Sequence, residues 1–210
     1  MLNIKDVTLS PMEDSIYVVP FRMNYTQDNV SKTWDLIKTH NSVTIILYNT
    51  TQNVLVCVKQ FRPGVYFNSI LPEDRKETID TSRYPPKLGM SLEFCSGIVD
   101  KEKSLAEIAV EEAYEECGYK INKNSLEKVK SYRNAIGVAG ETTTLFYTEV
   151  TDDMKTGPGG GVENELIEIV HLRMDQIEKI IREDEASSSN NVSGEFLFGL
   201  MWFYNRQSKL

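Results

Sequence analysis

An α/β fold is what this sequence predicts, on three observations. Short β-rich runs, of which residues 43–48 (VTIILY) and 54–58 (VLVCV) are the clearest, are separated by turn residues. A strongly marked helix at 104–117 interrupts them, and a second, aromatic-rich helix closes the chain at 194–206. Forty per cent apolar and 10% aromatic content over 210 residues is enough for one large core.

The N-terminal segment 15–25 (SIYVVPFRMNY) alternates like a strand, and Pro20 favours an edge. The polar stretch 26–42 surrounds one tryptophan, Trp34, which suits either an apolar plug or a stacking surface for a flat ligand. The runs 43–48 and 54–58 form a hairpin across NTTQN. Arg62 follows between a buried strand and a Pro-Gly turn, as a surface residue or as a fork aimed at phosphate. Residues 67–90 are polar and proline-containing, the best candidate for a flexible insertion. A short strand at 90–95 (MSLEFC) carries Glu93 between Leu92 and Phe94, facing either solvent or a pocket.

The helix opens with a capping box, Ser104 and Glu107, and Gly118 stops it. At about 100° per residue, Leu105, Ala106, Ala109, Val110, Ala113, Tyr114 and Cys117 share an apolar half. Glu107, Glu111, Glu112, Glu115 and Glu116 occupy the other, interrupted by Ile108. Like charges at i, i+3 and i, i+4 each cost about 0.2–0.5 kcal/mol. Such stacking implies either bulk water or a cation among the carboxylates.

Strands are predicted at 126–132, 144–150 and 166–172. The glycine-rich stretch 151–165 ends in Glu163 and Glu165; it reads as a mobile loop delivering a carboxylate or as an ordinary connection. A helix at 175–183 has its own box, Asp175 with Glu178. The terminal helix offers a core or dimer stripe rather than a ligand site. A net charge of −8 argues against nucleic acid and anionic membranes as partners. Three cysteines in apolar segments, no basic-then-apolar leader and no apolar run near 18 residues predict a cytoplasmic protein.

Around the acidic helix the residues resemble the Nudix hydrolase signature G-x5-E-x7-R-E-U-x-E-E-x-G-U, where U is bulky and apolar. Gly97, Glu112, Glu115, Glu116 and Gly118 fall in register, with Ala113 and Tyr119 at U positions. Lys103 stands in the first Glu place and Glu111 in the Arg place, so an opposite-charge pair would survive with its sign reversed. Segments KTWDLIKTH, VLVCVKQFRPGVY, LEFCSGIVD and TGPGGGVENELIEIVHL resemble the nucleoside-diphosphate-sugar branch of that family.

The resemblance implies an α/β/α sandwich with a mixed sheet, residues 42–210, and an N-terminal arm, 1–41, that crosses to the partner of a homodimer. It implies Mg²⁺, with Mn²⁺ as a substitute, held by Glu112, Glu116, Glu115 and the Ser96 carbonyl, with Gly97 allowing close backbone approach. It makes Glu163 the general base, with Glu165 as runner-up. Arg62 would grip phosphate or the terminal sugar, Trp34 would stack on the base, and Glu93 would line the pocket. The implied reaction is hydrolysis of a nucleoside diphosphate sugar, UDP-glucose giving UMP and glucose 1-phosphate. ADP-ribose hydrolysis and a catalytically weak nucleotide-binding module are the alternatives.

Overall fold

The computed structural model describes residues 4–12, 15, 18–162, 165–182 and 191–208. Two antiparallel strands, β1 (Val19–Gln27) and β2 (Val30–Lys38), form an N-terminal hairpin. Asp28 and Asn29, both at positive φ, make its turn. The second strand was not legible as one, because Lys32 and Lys38 interrupt the face that carries Val30, Trp34 and Leu36.

The main sheet contains β3 (Ser42–Asn49), β4 (Val54–Phe61), β5 (Met90–Glu93), β6 (Cys95–Ile98), β7 (Glu127–Arg133), β8 (Thr142–Val150) and β9 (Glu168–Leu172). The order β5-β4-β3-β8-β7 has one parallel pair, β3 with β8, so the sheet is mixed; β6 adds to β3 and β9 to β4. Helix α1 (Pro63–Asn68) replaces the expected Pro-Gly turn, with Pro63 at its first position, where a missing N–H costs nothing. The others are α2 (Leu105–Cys117), α3 (Met174–Arg182) and α4 (Gly194–Gln207). One sheet face packs Val43, Ile45 and Val58 on Ile108, Ala109 and Ala113 of α2. The other packs Ile46, Leu55 and Leu145 on Ile177 of α3 and Phe196, Leu200 and Phe203 of α4. The result is the α/β/α sandwich.

Strands β3 and β4 pair only at their hairpin end, Leu47–Asn49 with Val54–Val56. Beyond it they splay: the first half of β3 takes β6, and the far half of β4 takes β5. The run expected as one strand at 90–95 is therefore two, broken at Phe94, and it bridges the splay. Residues 67–90 carry two short 3₁₀ turns, and Ile70, Ile79 and Tyr84 pack with Tyr66 in a small core. Helix α3 begins at Met174, so Asp175 lies inside it and binds Arg173 instead of capping; the Gln176 side chain accepts the Arg173 N–H.

The capping box of α2 is complete: the Glu107 N–H donates to Ser104 Oγ (3.3 Å) and the Ser104 N–H to Glu107 Oε2 (3.0 Å). The Ser104 side chain first, then Lys123, hold the Glu107 carboxyl at about 2, below its ordinary 4.5. A depressed folded pKa gives stabilisation that is full above about 4.5 and fades as pH falls towards 2. Ser104→Ala should cost about 1 kcal/mol in urea unfolding. Glu107→Gln should destabilise at neutral pH, and its gap to the wild type should close near pH 2; a pH-independent gap would contradict this account.

Candidate active site

The splay between β3 and β4 opens a cavity of about 480 Å³, walled by both strands, the β5–β6 bridge, α2 and the first turn of α4. Its lining includes five glutamates, Glu93, Glu112, Glu116, Glu165 and Glu195, against one cation, Arg62.

Helix α2 supplies Glu112 and Glu116, one turn apart. Its packed face is an arc of Ile108, Glu112, Glu116, Ala109, Ala113 and Cys117, rotated from the one that charge pattern alone selects. Ile108 is buried, Tyr114 is 46% exposed, and Glu116, at 4% exposure, sits in the middle of the packing surface. The Ser96 N–H donates to Glu116 Oε2 at 3.0 Å. Burial, and then the charges of Glu112 and Glu165, still push the Glu116 carboxyl up to about 8. Burial, and then Glu115, raise Glu112 to about 7. A Cβ on Gly97 would lie 2.1 Å from the Glu112 carboxyl, so the glycine leaves that side chain its place in the cavity. Glu115 is partly buried but does not line the cavity.

The glycine-rich stretch turns out to be a backbone clamp on the end of α2. Gly160 and Gly161 donate their N–H groups to the Glu116 and Glu115 carbonyls at 2.8 and 3.0 Å. Carbonyls that a helix C-terminus leaves without partners are thereby satisfied. The approach excludes side chains: a Cβ on Gly118 would stand 2.2 Å from the Gly157 carbonyl oxygen. The clamp delivers Glu165 to the cavity, where its carboxylate accepts the Val162 N–H at 3.1 Å. Glu163 lies outside the described residues.

Arg62 and Glu93 form a two-pronged fork inside the cavity, Nε to Oε1 at 2.8 Å and Nη2 to Oε2 at 2.5 Å. Gln60 adds a bond to Glu93 at 3.2 Å. The fork raises the guanidinium's pKa further and leaves Nη1 outside it. Trp34 is not brought to the cavity of its own chain: it is half-exposed on β2, and its indole N–H donates to the Gly137 carbonyl at 2.7 Å. Sequence reasoning missed Glu195, Thr44 and Ser42. The available signal was a lone acid at the start of an otherwise apolar helix.

Among the described residues no three acidic, His or Cys side chains are already closed around a point with metal-ligand spacing. The donor chemistry nonetheless fits a hard divalent cation. Glu112, Glu116 and Glu165 offer only oxygen, border one cavity, and the first two are disfavoured as bare anions. Near the start of α2, Lys103 and Lys101 both pair with Glu111, so the exchanged positions do form an ion pair of reversed sign.

No family model matches the chain. It is 37% identical over 218 residues to the uridine diphosphate glucose pyrophosphatase NUDT14 of Bos taurus, covering 98% of this chain and 96% of that one. The Mus musculus counterpart is 36% identical with the same coverage. A GDP-mannose pyrophosphatase of Citrobacter koseri is 28% identical over 90% of each chain. The crystal structure of an ADP compounds hydrolase shares the fold, with a TM-score of 0.63 at 14% identity over 98% of this chain and 95% of that one. With this site on this sandwich, the chain belongs to the Nudix hydrolases. The relatives compared by sequence are pyrophosphatases of nucleoside diphosphate sugars.

If the Lys103–Glu111 pair orients α2, K103E alone should lower hydrolysis and K103E/E111R should restore it. Steady-state assays of the two would decide, and equal activities would contradict the pairing role.

Proposed function

We propose that this protein is a Mg²⁺-dependent diphosphatase of nucleoside diphosphate sugars, converting UDP-glucose and water to UMP and glucose 1-phosphate. The observation that carries this reading is the pair of Glu112, half-buried, and Glu116, buried, facing one cavity with Glu165 and Arg62. The 37% identity over almost the whole chain to a UDP-glucose pyrophosphatase supports the substrate.

Glu112 and Glu116 would hold the cation with the Ser96 carbonyl; the family pattern adds Glu115, which stands on α2 outside the cavity lining. Bound there, Mg²⁺ supplies neutralisation of the diphosphate oxygens and a more acidic water. The remaining steps belong to the chain. Arg62, immobilised by Glu93, presents Nη1 to a phosphate oxygen. A carboxylate from the end of the clamp accepts the proton of the attacking water. Lining of the cavity supports Glu165 for that step, and the match to the family pattern supports Glu163. The carboxylate-rich wall repels an anion that arrives without its cation, so binding should be metal-dependent. The apolar ribbon face carrying Phe21, Met23 and Trp34, each about half-exposed, supports a homodimer built through the arm. Three buried free cysteines support a cytoplasmic setting.

E116Q should remove most turnover of UDP-glucose while leaving the circular dichroism spectrum unchanged; near-normal turnover would overturn the metal-site assignment. E165Q should lower kcat more than it raises KM. A larger kcat loss in E163Q would move the proton-accepting step to Glu163.

A further inference from the structure

The two strand walls of the catalytic cavity differ in chemistry. On the β4–β5 side stand Gln60 and Arg62, the latter locked to Glu93. On the β3–β6 side Thr44 pairs with Ser96 and Ser42 with Ile98, and all four line the cavity. The first turn of α4 brings Glu195 onto this second wall, where its Oε1 accepts the Thr44 hydroxyl. Its Oε2 accepts the Asn134 amide at 3.3 Å. That amide also reaches Thr143 Oγ1 at 2.7 Å, which contacts Ser42 Oγ at 2.7 Å. Tyr132 adjoins the same carboxylate: burial first, then the Glu195 charge and a hydrogen bond to it, raise the phenol, which therefore stays a protonated donor. Glu195 and the α2 carboxylates are thus opposites. Glu112 and Glu116 are disfavoured as bare anions and suit a cation, whereas Glu195 is ringed by neutral hydroxyl and amide donors. A carboxylate has about four acceptor sites, so these donors leave capacity on the cavity side.

What can lie against this wall follows from charge and shape. A phosphate meets repulsion from Glu195, and its partner is Arg62 on the other wall. A nucleobase requires an open aromatic face, and the aromatic lining here, Phe94 and Phe196, is only 2% and 1% exposed. A pyranose fits. Its hydroxyls donate to a carboxylate and accept from serine, and its C–H face can rest on Ile98, which is 43% exposed. We infer that the hexose of the substrate lies against the β3–β6 wall, with Glu195 accepting a hydrogen bond from one of its hydroxyls and Ser42 and Ser193 beside it. The substrate is then divided in order: base outside this cavity, diphosphate between Arg62 and the α2 carboxylates, hexose against α4. The inference rests on the diphosphatase reading for the identity of the ligand, and it makes Glu195 a determinant of sugar specificity. If Glu195 only pinned α4 to β3 through Thr44, its loss would not discriminate among the hydroxyls of a ligand.

The experiment has two arms. In the first, glucose 1-phosphate and UMP are titrated calorimetrically with Mg²⁺ onto wild type and E195Q, whose melting temperatures are compared. E195Q should weaken glucose 1-phosphate about tenfold, as loss of a charged acceptor does, and leave UMP unmoved. In the second, kcat/KM is measured for UDP-glucose and its 2-, 3-, 4- and 6-deoxyglucose counterparts. Wild type should disfavour at least one of the four by about tenfold or more, and E195Q should lose most of that discrimination. Equal kcat/KM for all four in the wild type would overturn the inference however E195Q folds. So would discrimination kept in full by E195Q, an equal weakening of both products, or a loss confined to UMP. A wild type that binds glucose 1-phosphate through Glu195 but hydrolyses no nucleoside diphosphate sugar would sustain the subsite and overturn the diphosphatase reading instead.

Discussion

A carboxylate placed in the middle of a helix's packing face is costly, and this fold accepts that cost at Glu116. At 4% exposure an anion here has lost most of its water, and the Ser96 N–H and the Cys95 thiol compensate only in part. Glu112, one turn earlier, adds repulsion. Without a counter-charge the cost is met by protonation, since burial pushes this carboxyl up to about 8; in the proposed metal site a cation would take the place of that proton. The rest of the architecture keeps the carboxylates from escaping to solvent.

Three devices do so. The splay of β3 from β4 makes the cavity, and the strand break at Phe94 lets the β5–β6 run bridge it. Gly97 admits the Glu112 carboxyl where any side chain would collide. The glycine clamp then ties the last carbonyls of α2 to the segment carrying Glu165, so helix end and loop carboxylate are positioned by one set of backbone bonds. At the other end of α2, the capping box and the Lys–Glu111 pairs fix its start. A helix pinned at both ends holds its buried acids in register with the backbone of β6.

How much of this could be read in advance follows from how local each cause is. The strands at 43–48 and 54–58 were legible because burial on both faces makes continuous apolar runs. The capping box needs only four residues, so Ser104 and Glu107 announced the start of α2. The acidic spacing and the matched family positions pointed to Glu112 and Glu116, and Arg62 and Glu93 fell in the cavity as well. The rotation of α2 was hidden, because a charge pattern assigns every glutamate to solvent, and only a functional site reverses that assignment. Glycines 157–161 looked like slack because their partners, the carbonyls of Glu115, Glu116 and Gly118, lie some forty positions earlier. Glu195 reaches the cavity only through the packing of α4 on the sheet, which no local pattern describes.

The central claim is that the buried carboxylates are a debt settled by a cation, and thermal unfolding with and without Mg²⁺ at neutral pH tests it most directly. Mg²⁺ should raise the midpoint of the wild type and leave Glu116→Gln unmoved. Without metal, Glu116→Gln should be about as stable as the wild type, since a neutral amide replaces a carboxyl that burial already holds protonated at neutral pH. A wild type indifferent to Mg²⁺, or a metal-free Glu116→Gln clearly less stable than the metal-free wild type, would contradict the account.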